Sequence, residues 1–259
     1  MTAEEKTILA HFLDLADDYV CCGHARRREE YAFEDDEAAE QPALPLAYMI
    51  EEPEGSSDSL EAIAGDVSAC EACPLYKTRT LPVPGEGSGH PLVLVIGEGP
   101  GANEDKAGRP FVGRAGQLLD KMLQSIGLDR NKNCYIANMV KCRPPENRDP
   151  EPDEITACSR FLERQITLLK PGIILCAGRV AAQSLLKTAR GINALRGEFT
   201  EYRPECNSDG AAETENTEPV IPVLCTFHPS AVLRDENLKR PAWEDLKLLK
   251  TRLESLNKE

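Results

Sequence analysis

The sequence predicts an α/β domain: a three-layer αβα sandwich on a central four-stranded parallel sheet, with an acidic, largely disordered N-terminal extension. Three observations lead there. From residue 67 onward, four short runs rich in β-branched residues are apolar on both faces, as strands covered from both sides must be. Stretches of helical period separate them, and that βαβ order calls for parallel strands joined by right-handed crossovers. The charge is lopsided: residues 1–66 hold 18 Asp and Glu against 4 Lys and Arg, whereas residues 67–259 hold 26 of each.

Taken in order, "EEKTILAHFLDLADDYV" (4–20) spaces Ile8, Phe12, Leu15 and Val20 for one amphipathic helix. Residues 21–66 mix a basic triplet (Arg26 to Arg28) with the acidic run "EDDEAAE" and Pro, Gly and Ser punctuation. Such a segment buries too little apolar surface to offset its ordering entropy and reads as a linker. The expected division is thus 1–66 and 67–259. Strands are expected at "LVLVIGE" (92–98), "CYIANMVK" (134–141), "GIILCAG" (172–178) and "PVLCTFHP" (222–229). The helices between them are "AGQLLDKMLQSIGL", "EITACSRFLERQITLLK" and "RVAAQSLLK", and a last helix is "PAWEDLKLLKTRLESLNKE". Ligands bind such sheets at the carboxyl ends of the strands, so chemistry is expected just past each run.

The net charge of −14 resides in the extension. Within the balanced remainder, residues 205–218 carry five acids and no base, leaving the rest at +5 and compatible with a nucleic-acid face. No run approaches the roughly 20 apolar residues that cross a bilayer, and the start lacks the basic opening and apolar core of a secretion signal. A soluble, intracellular protein with no membrane partner is expected. Ten cysteines there read as core thiols and metal ligands rather than disulfides.

Cys70 and Cys73 form a C-x2-C pair just ahead of the sheet, Cys142 leaves the second strand, and Cys158 lies early in the following helix. Four prolines stiffen the loop between Cys142 and Cys158. Four converging thiolates suit tetrahedral zinc or a [4Fe–4S] cluster, and spacing alone does not separate the two. Cys134, Cys176 and Cys225 fall in apolar strands as buried thiols, while Cys21, Cys22 and Cys206 lie in segments expected to be disordered.

After the first strand, "VIGEGPGANEDKAGRPFVGRAGQLLDKML" enters a helix through six glycines. It fits neither the dinucleotide fingerprint, since Ala102 replaces the last glycine and Pro100 interrupts the turn, nor a phosphate loop, which needs Gly-Lys-Ser/Thr. The turn presents Glu98 at the strand end, then Glu104 and Asp105, then Phe111 in a Gly- and Pro-bounded loop. A carboxylate and an aromatic beside flexible backbone suit a pocket for a flat polar heterocycle; Phe111 as a core anchor of the loop is the equal alternative. Asn138 sits in an apolar strand, where an unpaired amide costs roughly 1–3 kcal/mol. His228 opens "HPSAVLRDEN" at the end of the fourth strand.

"GEGPGANEDKAGRPFVGRAGQLL", "NMVKCRPPENRDP" and "HPSAVLR", with cysteines at 70, 73, 142 and 158, resemble the family 4 uracil-DNA glycosylases, the iron–sulfur branch of their superfamily, over roughly residues 67–255. Gly99 departs from the family's usual alanine. The resemblance implies hydrolysis of the N-glycosidic bond of uracil in DNA, with the base flipped into a pocket at the strand ends. It implies that Phe111 stacks on uracil beside Gly99 and that Asn138 reads the O4/N3 edge. His228 would stabilise charge on O2 and Glu98 would orient water or stabilise the sugar cation, with Glu104 the second carboxylate candidate. Ser230, Leu233, Arg234, Lys141, Arg143 and Arg148 would contact DNA, and the four cysteines would hold a structural [4Fe–4S] cluster. The segment "RDENLKRPAWEDL" carries no histidine, unlike the covalent-binding relatives, so turnover is expected. A monomer is expected too, its acidic extension competing with DNA or docking a replication or repair protein. The rival readings are a non-catalytic iron–sulfur DNA-binding or redox module and a four-thiolate zinc enzyme acting on nucleotides.

Overall fold

Six strands form one sheet in the computed structural model, which describes residues 58–204 and 220–256. They are β1 (Glu86–Gly87), β2 (Val93–Gly97), β3 (Cys134–Asn138), β4 (Ile173–Ala177), β5 (Phe199–Tyr202) and β6 (Ile221–Thr226), in the order β1-β3-β2-β4-β6-β5. The four expected runs make the parallel centre, β3-β2-β4-β6. The sheet is wider than expected because β1 and β5 pair antiparallel on its two edges. Neither edge strand has an apolar run: β1 is two residues long, and Thr200 and Glu201 of β5 face solvent. A one-sided or exposed edge needs no such run.

Eight α-helices accompany the sheet among the described residues: α1 (Leu60–Ala69), α2 (Ala102–Ala107), α3 (Arg114–Gln124), α4 (Pro152–Leu169), α5 (Arg179–Leu185), α6 (Ile192–Leu195), α7 (Pro229–Arg234) and α8 (Lys239–Leu256). Every residue of β2, β3 and β4 is buried, which is why these strands read as continuous apolar runs. Leu94, Ile96, Ala137, Ile174 and Cys176 share one core with Leu162, Ile166 and Leu169 of α4 and Ala181, Ala182 and Leu185 of α5. The alternate residues Val93, Val95, Ile136 and Leu175 are equally buried on the other face.

The linker does not extend to residue 66, as the composition suggested. Ser59 caps α1 by accepting from the Ala62 amide at 3.1 Å, and Ile63 and Val67, one turn apart, are buried. Arg164 of α4 holds Asp58 at 2.6 Å and Asp66 at 2.7 Å. Two buried apolar side chains among acidic neighbours are too faint a period to stand out. The helix expected at 4–20, the linker before residue 58 and the acidic run from 205 lie outside the described residues. Among the described residues no helix is long and apolar enough to cross a membrane.

One buried network fixes the end of β6. Asp245 of α8 accepts from Arg196 at 2.8 and 3.0 Å and from the Thr226 hydroxyl at 2.7 Å. Thr226 lies two residues before His228, so this anchor sets where the imidazole begins.

Candidate active site

The parallel register sets Gly97 of β2 beside Asn138 of β3, both at the carboxyl end. A methyl on Gly97 would lie 2.4 Å from Asn138 Oδ1 and 2.7 Å from the Phe111 ring, so glycine is what lets amide and aromatic approach one point. Asn138 is 2 % exposed. Among the described residues its Oδ1 is the one buried side-chain oxygen without a hydrogen-bond partner. Leaving it so costs roughly 1–3 kcal/mol, a strain that folded proteins keep where a ligand supplies the missing donor.

Phe111 is buried and holds φ at +51°, a left-handed conformation costing a non-glycine residue about 1–2 kcal/mol. Glu104 helps to impose it: Oε1 accepts from the amides of Val112 and Gly113 at 3.0 and 2.9 Å. In this arrangement the second carboxylate candidate is a fastener for the aromatic loop. On the other side Gly116 of α3 admits the Phe111 carbonyl so closely that a methyl there would sit 1.8 Å from it. The Phe111 ring lies 5.6 Å from that of His228, tilted by 31°.

His228 caps α7. Its Nδ1 accepts from the Ser230 amide at 3.1 Å and lies 2.7 Å from the Ser230 hydroxyl. With Nδ1 receiving, the neutral ring carries its proton on Nε2. Burial, with the cation of Arg234, pulls the imidazole down to about 4, and Glu104 opposes this weakly. Behind the ring stands Gly178 at φ +98°, where a methyl would approach His228 Cβ to 2.8 Å. Ser230, expected on DNA, is half-exposed and also holds the imidazole.

Glu98 is half-buried, its carbonyl accepting from the Val140 amide at 3.2 Å. Desolvation lifts its carboxyl to about 6; Asp149 adds to the shift, while Arg179 and Arg234 oppose it. Glu98 and His228 both follow the carboxyl ends of parallel strands, β2 and β6, and so share that edge of the sheet. The missing methyl at Gly99 has a local reason, since a Cβ there would meet Val140 Cγ2 at 2.8 Å. Gly99→Ala is expected to cost about 1–2 kcal/mol of stability by overpacking. In a Val140→Ala background the same change should cost almost nothing further, as read from urea midpoints of the single and double variants.

Cys70, Cys73, Cys142 and Cys158 line one small hollow with Val67, Tyr76 and Phe161. Three of the sulfurs receive N–H groups: Cys142 from Arg79 at 3.2 Å, Cys158 from the Lys141 amide at 3.2 Å, and Cys70 from Arg160 at 3.6 Å. Donors aimed at sulfur favour thiolates, so the set fits an anionic metal–thiolate group. Tetrahedral zinc would draw four sulfurs to within about 3.8 Å of each other at Zn–S distances of about 2.3 Å. Among the described residues no group of three or more His, Cys, Asp or Glu is placed to hold one metal ion.

Lys141 does not reach DNA. It is 1 % exposed, donating from Nζ to the Asn138 carbonyl at 3.0 Å and to Gln165 Oε1 at 2.7 Å, and burial lowers it to about 8. An apolar strand followed by a charged residue reads as a strand leaving the core; here the chain turns inward instead, and the lysine pins the strand end. Arg148 forks the Glu154 carboxylate at 2.7 and 2.8 Å, and Arg143 donates to Asn147 Oδ1 at 2.8 Å. Arg234 is exposed and Leu233 half-buried on α7, beside the slot. Gly97 and Gly178 each close an apolar run, and their part in the site lies in the close approaches they permit.

Residues 84–247 match the Uracil DNA glycosylase superfamily. The chain is 42 % identical over 198 residues to the Type-4 uracil-DNA glycosylase of Sulfurisphaera tokodaii, spanning 74 % of this chain and 84 % of that one. It is 40 % identical over 190 residues to the enzyme of the same name from Archaeoglobus fulgidus, spanning 73 % and 91 %. A Type-5 uracil-DNA glycosylase of Thermus thermophilus is 31 % identical over 157 residues, 49 % of this chain and 71 % of that one. With a glycine-floored slot between an orphaned amide, an aromatic and a capped imidazole, and four sulfurs gathered beside it, the chain belongs to the uracil-DNA glycosylase superfamily, in its type-4 branch.

Proposed function

We propose that this protein excises uracil from DNA by hydrolysing the N-glycosidic bond, leaving an abasic site. The observation that carries the reading is the buried, partnerless Oδ1 of Asn138 beside Phe111. Uracil supplies the missing donor at N3–H and takes a hydrogen bond from the same amide at O4; cytosine offers the reverse pattern. Phe111 stacks on the base. As the bond breaks, negative charge grows on uracil O2, and the Nε2–H of neutral His228 is fit to receive it. Its low pKa suits a fixed hydrogen-bond donor better than a proton donor. Glu98, at the same edge of the sheet, stabilises the cationic sugar or orients the attacking water. Arg234, with Arg143 and Leu233, grips backbone and fills the gap left by the flipped nucleotide.

Cys70, Cys73, Cys142 and Cys158 would hold a [4Fe–4S] cluster, and its contribution is a cross-link between α1, the end of β3 and α4. Incubation with a uracil-bearing oligonucleotide tests the whole reading: abasic product is expected, and its absence from cluster-loaded protein would sink it. The sign of the pH dependence follows from Glu98. It must be ionised to act, so kcat should fall tenfold per unit below about pH 6. His228, already neutral above about 4, adds no limb in that range. Glu98→Gln should lower the rate and abolish the limb; a limb that persists at pH 6 in that variant assigns it to another group.

A further inference from the structure

We infer that Arg130 is the positioning residue of the uracil slot: its guanidinium holds the Phe111 turn in its left-handed conformation before any base arrives. The inference rests on the glycosylase reading above and extends it to a residue in neither the motifs nor the sheet. Arg130 lies in the loop before β3, with its side chain 11 % exposed. From there it reaches three elements. Nε donates to Asp120 of α3 at 2.7 Å, and Nη1 to Glu86 of β1 at 2.7 Å. The remaining donors go to the aromatic turn: Nη1 to the Pro110 carbonyl at 3.1 Å and Nη2 to the Phe111 carbonyl at 2.8 Å.

The turn is therefore gripped on both sides of one residue. Arg130 takes the carbonyls of 110 and 111, and Glu104 takes the amides of 112 and 113. Phe111 has no other course than the positive φ between those clamps, and its ring comes to lie beneath Gly97 and beside His228. Only a planar fork with donors on several edges serves two carboxylates and two carbonyls at once; an ammonium, being a point charge, cannot. Preset rigidity of this kind raises affinity by removing the ordering cost at binding.

The experiment compares Arg130→Gln and Arg130→Lys with wild type, alone and combined with Phe111→Ala. Three quantities are read: inhibition by free uracil, kcat/KM on a uracil oligonucleotide, and melting temperature. Arg130→Gln should weaken inhibition by free uracil and lower kcat/KM by roughly 10- to 100-fold, as misplacement of a binding group does. Arg130→Lys should recover only part of this. In the Phe111→Ala background the same change should cost less than about threefold, because the two residues act as one unit. Equal loss in both backgrounds, or uracil inhibition unchanged in Arg130→Gln, overturns the inference while leaving the glycosylase reading intact. Wild-type protein that releases no uracil overturns both. Should Arg130→Gln fail to fold, Arg130→Lys in the two backgrounds decides by the same non-additivity.

Discussion

Asn138→Asp should lower uracil excision by about 10³-fold or more while leaving the fold in place, the largest single effect expected on activity. The substitution keeps shape and volume and changes only what the terminal atoms offer. A carboxylate can still accept from N3–H, but it has nothing to donate to O4 and repels it. Sites built around a specific hydrogen-bond pattern reject a mismatched partner by factors of 10⁴ or so, because the buried groups are left unpaired on both sides. The Asn138 amide is buried and its Oδ1 has no protein partner to fall back on, so no local rearrangement compensates. Paired substrates make the test specific: kcat/KM on uracil and on cytosine oligonucleotides, with the fold checked by circular dichroism. Uracil excision should collapse while cytosine excision does not fall further. An Asp variant that kept wild-type kcat/KM on uracil would remove the amide from base reading.

The parallel centre was legible in the sequence because strands buried on both faces must be apolar at every position. Leu94, Ile96, Ile136, Ile174 and Leu175 advertise that directly. The edges were not, for β5 has Thr200 and Glu201 facing water and makes its contribution through backbone pairing with β6, which side-chain pattern does not encode. The same holds for α1, whose attachment depends on Arg164 reaching back to Asp58 and Asp66 across about a hundred residues.

At the site, the residues that stand at strand ends were readable by type, since an amide, an acid and an imidazole past apolar runs are out of place there. What stayed hidden were roles set by partners far along the chain. Lys141 looked like a surface cation because its partners, Gln165 and the Asn138 carbonyl, depend on how α4 crosses the sheet. Ser230 reads as a DNA contact alone, and only the structure shows its hydroxyl beside Nδ1 of His228. Glu104 and Arg130 are indistinguishable from surface charges in the sequence, yet between them they hold four backbone polar groups around Phe111. Pairing with backbone carries no residue-type signature, so clamps of this kind emerge only with coordinates.

Cys142→Ser should be the most damaging change to folding, and the reason lies in what the four sulfurs join. Cys142 stands four residues past Asn138, Cys158 is nearly two turns into α4, and Cys70 and Cys73 follow α1. Around them is a buried apolar cluster of Ile63, Val67, Leu75, Val140 and Phe161, and the four sulfurs line one small hollow against it. Filling that hollow with a ligated cluster makes binding free energy into folding free energy. Without it, the hollow remains and Arg79, Arg160 and the Lys141 amide point at nothing charged. Soluble yield, brown colour and melting temperature should fall together, with a loss of more than about 10 °C, corresponding to several kcal/mol for a domain of this size. Cys134→Ala serves as the control: a buried thiol outside the hollow, expected to cost about 1 kcal/mol and to keep the colour. Uracil excision should track colour across the two variants, because the cysteine after β3 fixes the loop leaving Asn138. If Cys142→Ser stayed soluble, colourless and fully active, the four sulfurs would have no part in holding the reading amide in place.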